Sequence, residues 1–67
     1  MATPLEMALV VAADQRSPLS ESEVALKVLV RDGDPSMADH RTAFWTLHRR
    51  VGRQYGQRAA PSAWVTP

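Results

Sequence analysis

Arginine is the residue type in this sequence whose number and placement best suit binding chemistry. Five arginines and no acidic residue lie from residue 41 onward, whereas seven acidic and three basic residues precede them. The formal net charge of +1 is therefore the sum of a first part at −4 and a second part at +5. Guanidinium groups bind phosphates, base edges and carboxylates, so this asymmetry points to nucleic acid or to an acidic partner.

Catalytic residue patterns are few. The chain has no cysteine, which excludes disulfides, thiolate metal sites and cysteine nucleophiles. His40 and His48 would lie about 12 Å apart along a helix, too far to hold one metal ion together, so we expect packing or capping roles for both. No serine lies in a Gly-x-Ser-x-Gly motif, and the three glycines form no phosphate-binding loop. We therefore expect no metal, no cofactor and no enzymatic activity.

Three helix starts are predicted by one recurring pattern, a hydroxyl residue that can cap a helix followed three residues later by an acid. The three segments are Thr3-Pro4-Leu5-Glu6, Ser20-Glu21-Ser22-Glu23 and Ser36-Met37-Ala38-Asp39. Breaks at residues 15–18 and 32–35 separate the helices, and Gly33 is placed to take a left-handed cap. The pattern predicts helices near 4–14, 20–32 and 37–53.

The distribution of apolar residues predicts how these helices pack. Apolar residues cover about two thirds of the circumference of the second helix, so we expect it to be the most buried. The first helix has more apolar surface than three short helices can cover, which favours a dimer contact through it. The predicted core consists of Leu9, Leu26, Val28, Leu29, Phe44, Leu47 and Val51.

The third helix has two contrasting faces. The apolar stripe consists of Met37, Phe44, Leu47, Val51 and Tyr55. The opposite face, which we expect to be free of acidic residues, carries Arg41, Thr42, Trp45, Thr46, Arg49, Arg50 and Arg53. Arginines, threonines and one aromatic ring suit a helix in the major groove of DNA. The alternative is that Trp45 packs on a neighbouring segment and the arginines are only solvated.

Together these patterns predict an all-α fold, a compact three-helix helix-turn-helix-like domain over residues 1–55. Residues 56–67 contain prolines and no alternating strand pattern, so we expect an irregular basic tail that carries Arg58 and Trp64. The longest apolar run, residues 7–13, is far too short to span a bilayer, and no basic segment precedes it. We expect a soluble, cytoplasmic protein.

Two segments resemble winged helix-turn-helix regulators. They are Ser17-Pro18-Leu19-Ser20-Glu21-Ser22-Glu23-Val24-Ala25 and Thr42-Ala43-Phe44-Trp45-Thr46-Leu47-His48-Arg49-Arg50-Val51. The resemblance covers about 35 residues and implies that the third helix enters the major groove. The resemblance also implies that contacts in the groove come from Arg41, Thr42, Trp45, Thr46 and Arg49, with Arg50 and Arg53 nearer the DNA backbone. The chain departs from those proteins where they form a wing, because residues 53–67 show no β-hairpin pattern.

Two functions follow from these residues. The favoured one is a small DNA-binding protein, acting as a transcriptional repressor or as an accessory regulator of the phage or plasmid type, and as a dimer. Its nucleic-acid-binding residues would be Arg41, Thr42, Trp45, Thr46, Arg49, Arg50, Arg53 and Arg58. The alternative is a small protein-binding module that inhibits or adapts an acidic partner through the same helix. The two differ in the salt dependence and sequence preference of DNA binding.

Overall fold

The computed structural model describes residues 2–55 and 60–65 of the chain, with the side chains of residues 54 and 55 outside the description. Three helices follow one another in order, α1 (Pro4–Ala13), α2 (Leu19–Asp32) and α3 (Ala38–Tyr55), and a short 3₁₀ turn covers Ser62–Trp64. These residues contain no strand, which confirms the predicted all-α, three-helix fold. Within the same ranges, no helix is long and apolar enough to cross a membrane.

The first two helix starts differ in their capping. The Oγ1 atom of Thr3 accepts a hydrogen bond from the backbone N–H of Glu6 at 3.1 Å, and Pro4 occupies the first turn, as predicted. In α2, by contrast, Pro18 is the residue before the helix and no side chain caps the first turn. The predicted capping role of Ser20 is therefore wrong. Pro18 has its φ fixed by its ring, which lets the helix begin at Leu19 and leaves Ser20 inside the first turn.

A hydrogen-bonded turn, rather than a serine cap, leads into α3. Oδ1 of Asp34 accepts hydrogen bonds from the backbone N–H of Ser36 at 2.9 Å and from its hydroxyl at 2.7 Å. The predicted capping of α3 by Ser36 is wrong, because this hydroxyl donates to Asp34 and the helix begins at Ala38. Nδ1 of the buried His40 accepts from the backbone N–H of Asp34 at 3.0 Å, which confirms a packing and capping role for this histidine.

Gly33 follows the end of α2, and this position needs glycine for a steric reason and not for a left-handed backbone. Its backbone is extended, with φ −74° and ψ 161°, so the predicted left-handed cap is wrong. A Cβ atom added here would lie 2.5 Å from the carbonyl oxygen of Leu29 and 3.0 Å from the ring of Trp64. Real Cβ contacts are longer than this, so the close approach of Trp64 requires glycine.

The core is centred on α3. Leu29, Phe44 and Leu47 are fully buried, as predicted, and small side chains complete the centre. Three more of the predicted core residues, Leu9, Leu26 and Val28, pack against it while partly buried, and Val51 is half-buried. The small members of the core are Ala8, Ala12, Ala25 and Ala43.

The prediction that α2 is the most buried helix is wrong. Val24 is 61% exposed and Val30 is 45% exposed, since α2 packs through one narrow face of Ser22, Ala25 and Leu29. Met37, which the sequence placed on the buried stripe of the third helix, lies just before α3 and is 45% exposed. Val24 and Val30 therefore lie on sides of α2 that no helix in the described part of the chain covers.

Trp64 belongs to the core and not to an exposed tail, which corrects its predicted role. Its ring is 2% exposed and stacks on Phe44 with a centroid distance of 4.6 Å and an interplanar angle of 9°. The indole N–H of Trp45 donates to the carbonyl oxygen of Trp64 at 3.2 Å. An apolar ring of this size is stabilised by burial, which brings residues 60–65 back onto α3. The predicted site residue Arg58 lies outside the described residues.

Candidate nucleic-acid interface

One side of α3, which runs beside α1 at Thr42 and Thr46, carries polar residues at spacings of three and four. We call this set the outer stripe, and its members are Asp39, Thr42, Thr46, Arg49 and Arg53. At 100° per residue they fall within an arc of about 80°. All are exposed except Thr46, which is half-buried. Asp39 corrects one expectation, because an acidic residue does lie on this surface, at its N-terminal end.

Arg49 and Arg53 have free guanidinium groups. Within the described ranges neither side chain forms a hydrogen bond or an ion pair, although both are exposed on neighbouring turns of α3. Two basic residues of α2 differ, since Arg31 pairs with Asp32 at 3.0 Å and Lys27 lies 3.8 Å from Glu23. The positive charges of Arg49 and Arg53 are therefore available to an anion from outside the chain.

A basic cleft lies beside the outer stripe and encloses about 520 Å³. Its lining residues come from α3, from the segment between α1 and α2 and from the first residue of α2, and they are Gln15, Ser17, Leu19, Thr46, Arg49, Arg50 and Arg53. The first turn of α2, which has no side-chain cap, starts at this cleft. Free backbone N–H groups at a helix start carry partial positive charge and add to the field of the arginines.

Arg50 of α3 is hydrogen-bonded to both α1 and α2. One terminal nitrogen donates to the carbonyl oxygen of Val11 at 3.2 Å and to the hydroxyl of Ser22 at 3.0 Å, and the other donates to the carbonyl oxygen of Ala12 at 3.2 Å. These acceptors lie near the end of α1 and in the first turns of α2. The side chain thus satisfies carbonyl groups that the end of a helix leaves unpaired.

Arg41 and Trp45 lie on the flank of α3 next to the outer stripe, and both side chains are hydrogen-bonded within the chain. Arg41 donates to the carbonyl oxygen of Pro35 at 2.9 Å and holds the turn before α3. Trp45 packs edge-on against Phe44, with ring centroids 5.1 Å apart, and is hydrogen-bonded to the Trp64 segment. Its position matches the alternative reading in which this tryptophan packs on a neighbouring segment.

The structure thus brings four of the predicted site residues together on one surface, Thr42, Thr46, Arg49 and Arg53. Sequence reasoning missed the loop that joins α1 to α2, where Gln15 and Ser17 line the cleft and Arg16 is exposed nearby. The loop was recognised only as a helix break. Its position beside Arg49 depends on how α3 crosses the end of the α1–α2 hairpin, which no local pattern reveals.

The side chains that line the basic cleft are of types that can bind anions. Within residues 2–55 and 60–65, no group of three or more histidine, aspartate or glutamate side chains is placed to hold a metal ion. The free groups at the cleft are guanidinium, hydroxyl and amide donors, which bind phosphate or carboxylate oxygens. No protein-family model, no curated protein and no solved structure matches this chain.

Proposed function

We propose that this protein binds duplex DNA through the outer stripe of α3, as a transcriptional repressor or an accessory regulator of the phage or plasmid type. The observation that carries the proposal is the pair Arg49 and Arg53, both exposed, both without a partner in the described part of the chain, and both lining one basic cleft. Arginines without an internal partner break no ion pair when they bind phosphate, and they form charge-assisted hydrogen bonds with it.

The order of the elements supports the same function. A helix, a five-residue turn and a second helix occupy Leu19–Asp32, residues 33–37 and Ala38–Tyr55. In helix-turn-helix proteins the second helix enters the major groove while the first crosses the DNA backbone. The basic cleft lies between these same two elements, at the start of α2 and on the outer side of α3, so one duplex could contact both.

We assign roles by position on the stripe. Thr42 and Thr46 offer hydroxyl and methyl groups for base edges, and Arg49 has the geometry to read guanine. Arg53 lies one turn further along and contacts phosphate. Asp39, at the N-terminal end, can accept from the amino group of cytosine and repels phosphate, so it sharpens sequence preference. Arg50 supports the surface through its contacts with α1 and α2 and is not assigned a DNA contact.

Fluorescence anisotropy with a panel of labelled duplexes, at about 50 and 200 mM salt, tests the proposal. We expect binding that weakens steeply with salt, and a variant with Arg49→Ala and Arg53→Ala that keeps its melting temperature but loses DNA affinity. Each phosphate contact removed lowers the salt slope by about one. Lys27→Ala is the matched control, because it removes a positive charge from an exposed position of α2 and should bind as the wild type does.

Arg49→Lys separates base reading from phosphate binding. Lysine keeps the charge but lacks the planar pair of donors that matches guanine, so a reading role predicts a loss of about 1–3 kcal/mol confined to sequences with that guanine. A uniform small loss across all duplexes would instead make Arg49 a phosphate contact.

The proposal fails if the wild-type protein binds no duplex at low salt, or if the double arginine variant binds as well as the wild type does. Weak binding that is blind to sequence would favour the alternative function, in which the same arginines dock on an acidic protein. We also propose a cytoplasmic location, as expected from the sequence.

A further inference from the structure

The hairpin of α1 and α2 leaves an apolar groove of about 470 Å³ on a side to which α3 contributes no residue. Its lining residues are Pro4, Met7, Ala8 and Val11 of α1 and Ser20, Glu21, Val24, Ala25 and Val28 of α2. Met7 is 53% exposed and Val24 is 61% exposed, so two large apolar side chains flank the groove in water. A continuous apolar surface of this kind is typical of an interaction site.

The α2 edge of this groove has a self-complementary order of residues. Glu21, Val24, Val28 and Arg31 follow one another at spacings of three, four and three, which places them within an arc of about 80° on one side of the helix. The two apolar residues are central, the acidic residue precedes them and the basic residue follows them. We call these four residues the α2 row.

We propose that a second copy of this chain occupies the groove, with the two α2 helices antiparallel across a two-fold axis. This pairing places Val24 opposite Val28 of the second copy and Glu21 opposite its Arg31, and the symmetry makes each contact twice. A parallel pairing would instead set glutamate against glutamate and arginine against arginine, which is unfavourable. In this one register both the valine pairs and the opposite charges match. This match favours a second copy of the chain over an unrelated partner.

The side chains that meet in this pairing are accessible from outside the chain. In this pairing Val24 would lie in the groove of the other copy together with Met7, so the two exposed apolar side chains that flank the groove are covered. Arg31 already donates to both carboxylate oxygens of Asp32, at 3.1 and 3.0 Å. A guanidinium group has five N–H donors, so the same side chain can reach Glu21 of the second copy as well.

Sedimentation equilibrium of the full chain without DNA tests this inference, so its result does not depend on the proposed function. We expect a monomer–dimer equilibrium with a dissociation constant in the range of about 1–100 μM, as for a small apolar interface. Val24→Asp should weaken the dimer by about a hundredfold or more, because it buries a charge against Val28 of the second copy in both halves of the interface. Val30→Asp is the matched control, since Val30 is an exposed valine of the same helix outside the groove and should leave the dimer intact.

Charge reversal tests the register. Glu21→Arg and Arg31→Glu should each weaken the dimer by roughly tenfold, since each sets like charges together at two places, and the double variant should restore it. Circular dichroism verifies that all variants keep their helices. A wild-type chain that stays monomeric at every concentration would overturn the proposal, whatever other protein binds the groove. Equal effects of Val24→Asp and Val30→Asp, or a double charge reversal no better than the single ones, would overturn it too.

Discussion

The α1–α2 hairpin and α3 make opposite use of their apolar residues. The hairpin contains long apolar runs, yet it leaves Met7, Val10, Val24 and Val30 substantially exposed. In α3 polar residues predominate, yet this helix supplies Phe44 and Leu47, both fully buried, to the centre of the core. The apolar content of a helix therefore does not tell how much of it a small fold can bury. The apolar surface that stays exposed on the hairpin indicates where a partner can bind.

The reason lies in the size of the residues at the helix contacts. Where α1 and α2 pack, the buried residues are small, chiefly Ala8, Ala12, Ser22 and Ala25. Small residues let two helices approach closely, and the larger valines and Met7 are then left at the flanks. In α3 the aromatic and leucine side chains fill the space between all elements, so a few large residues bury more area than many small ones.

Among the variants that test this comparison, Phe44→Ala is expected to lower the stability of the fold most. Phe44 is fully buried and stacks on Trp64, and truncating such a residue costs about 3–5 kcal/mol, comparable to the whole stability of a domain this small. We expect little folded protein by circular dichroism and by urea titration. Val24→Ala, on the hairpin, removes an exposed apolar side chain and should leave the midpoint nearly unchanged. Equal midpoints for Phe44→Ala and the wild type would show that the core is not centred on α3.

Trp64→Ala should have the next largest effect and shows whether the C-terminal turn belongs with α3. The ring is buried on Phe44, and its loss uncovers that residue and the surface above Gly33. We expect a loss of about 3 kcal/mol in unfolding free energy, since the turn can partly collapse over the gap. Trp64→Phe, which keeps an aromatic ring, should recover more than half of it. Identical thermal melts for the alanine variant and the wild type would show that residues 60–65 do not contribute to the stability of the core.

Local signals in the sequence predicted the helices well, and tertiary contacts account for the errors. Thr3 and Pro4 fix the start of α1 through neighbours in the chain, so their effect was predictable. The approach of Trp64 to Gly33 and Phe44 joins residues far apart in sequence, and no local pattern contains it. The exposed members of the outer stripe, such as Thr42 and Arg49, were predictable from helical periodicity. The hydrogen bonds of Arg50 inside the fold were not predictable in this way, because their acceptors lie on α1 and α2.

Arg50→Ala should lower the unfolding free energy moderately, and Arg49→Ala should hardly change it. The comparison tests whether Arg50 joins α3 to the α1–α2 hairpin while Arg49 belongs to the exposed surface. Removing Arg50 leaves the buried Ser22 hydroxyl and the carbonyl oxygen of Ala12 without this donor, at a cost of about 1–3 kcal/mol, whereas the carbonyl oxygen of Val11 keeps its hydrogen bond from the Ser17 hydroxyl. Arg49 has no partner in the described residues, so its replacement should change stability by less than about 0.5 kcal/mol. Chemical denaturation of both variants measures this, and a larger loss for Arg49→Ala would reverse the assignment.

The smallest effect is expected at the turn that joins the two regions. The hydroxyl of Ser36 and then its backbone N–H hold the pKa of Asp34 below its ordinary value, and His40 adds a smaller lowering. A carboxyl whose pKa is lower in the folded state stabilises the fold fully above its ordinary pKa, and this contribution is lost as the pH falls through the lower value. Asp34→Asn keeps an acceptor for Ser36 but cannot titrate. Its melting temperature should therefore fall less steeply than that of the wild type between about pH 5 and pH 2, with the two curves parallel above that range. Asp39→Asn, an exposed carboxyl in the first turn of α3, is the control for a general change of charge. Identical acid profiles for Asp34→Asn and the wild type would show that this turn does not contribute to the acid stability of the fold.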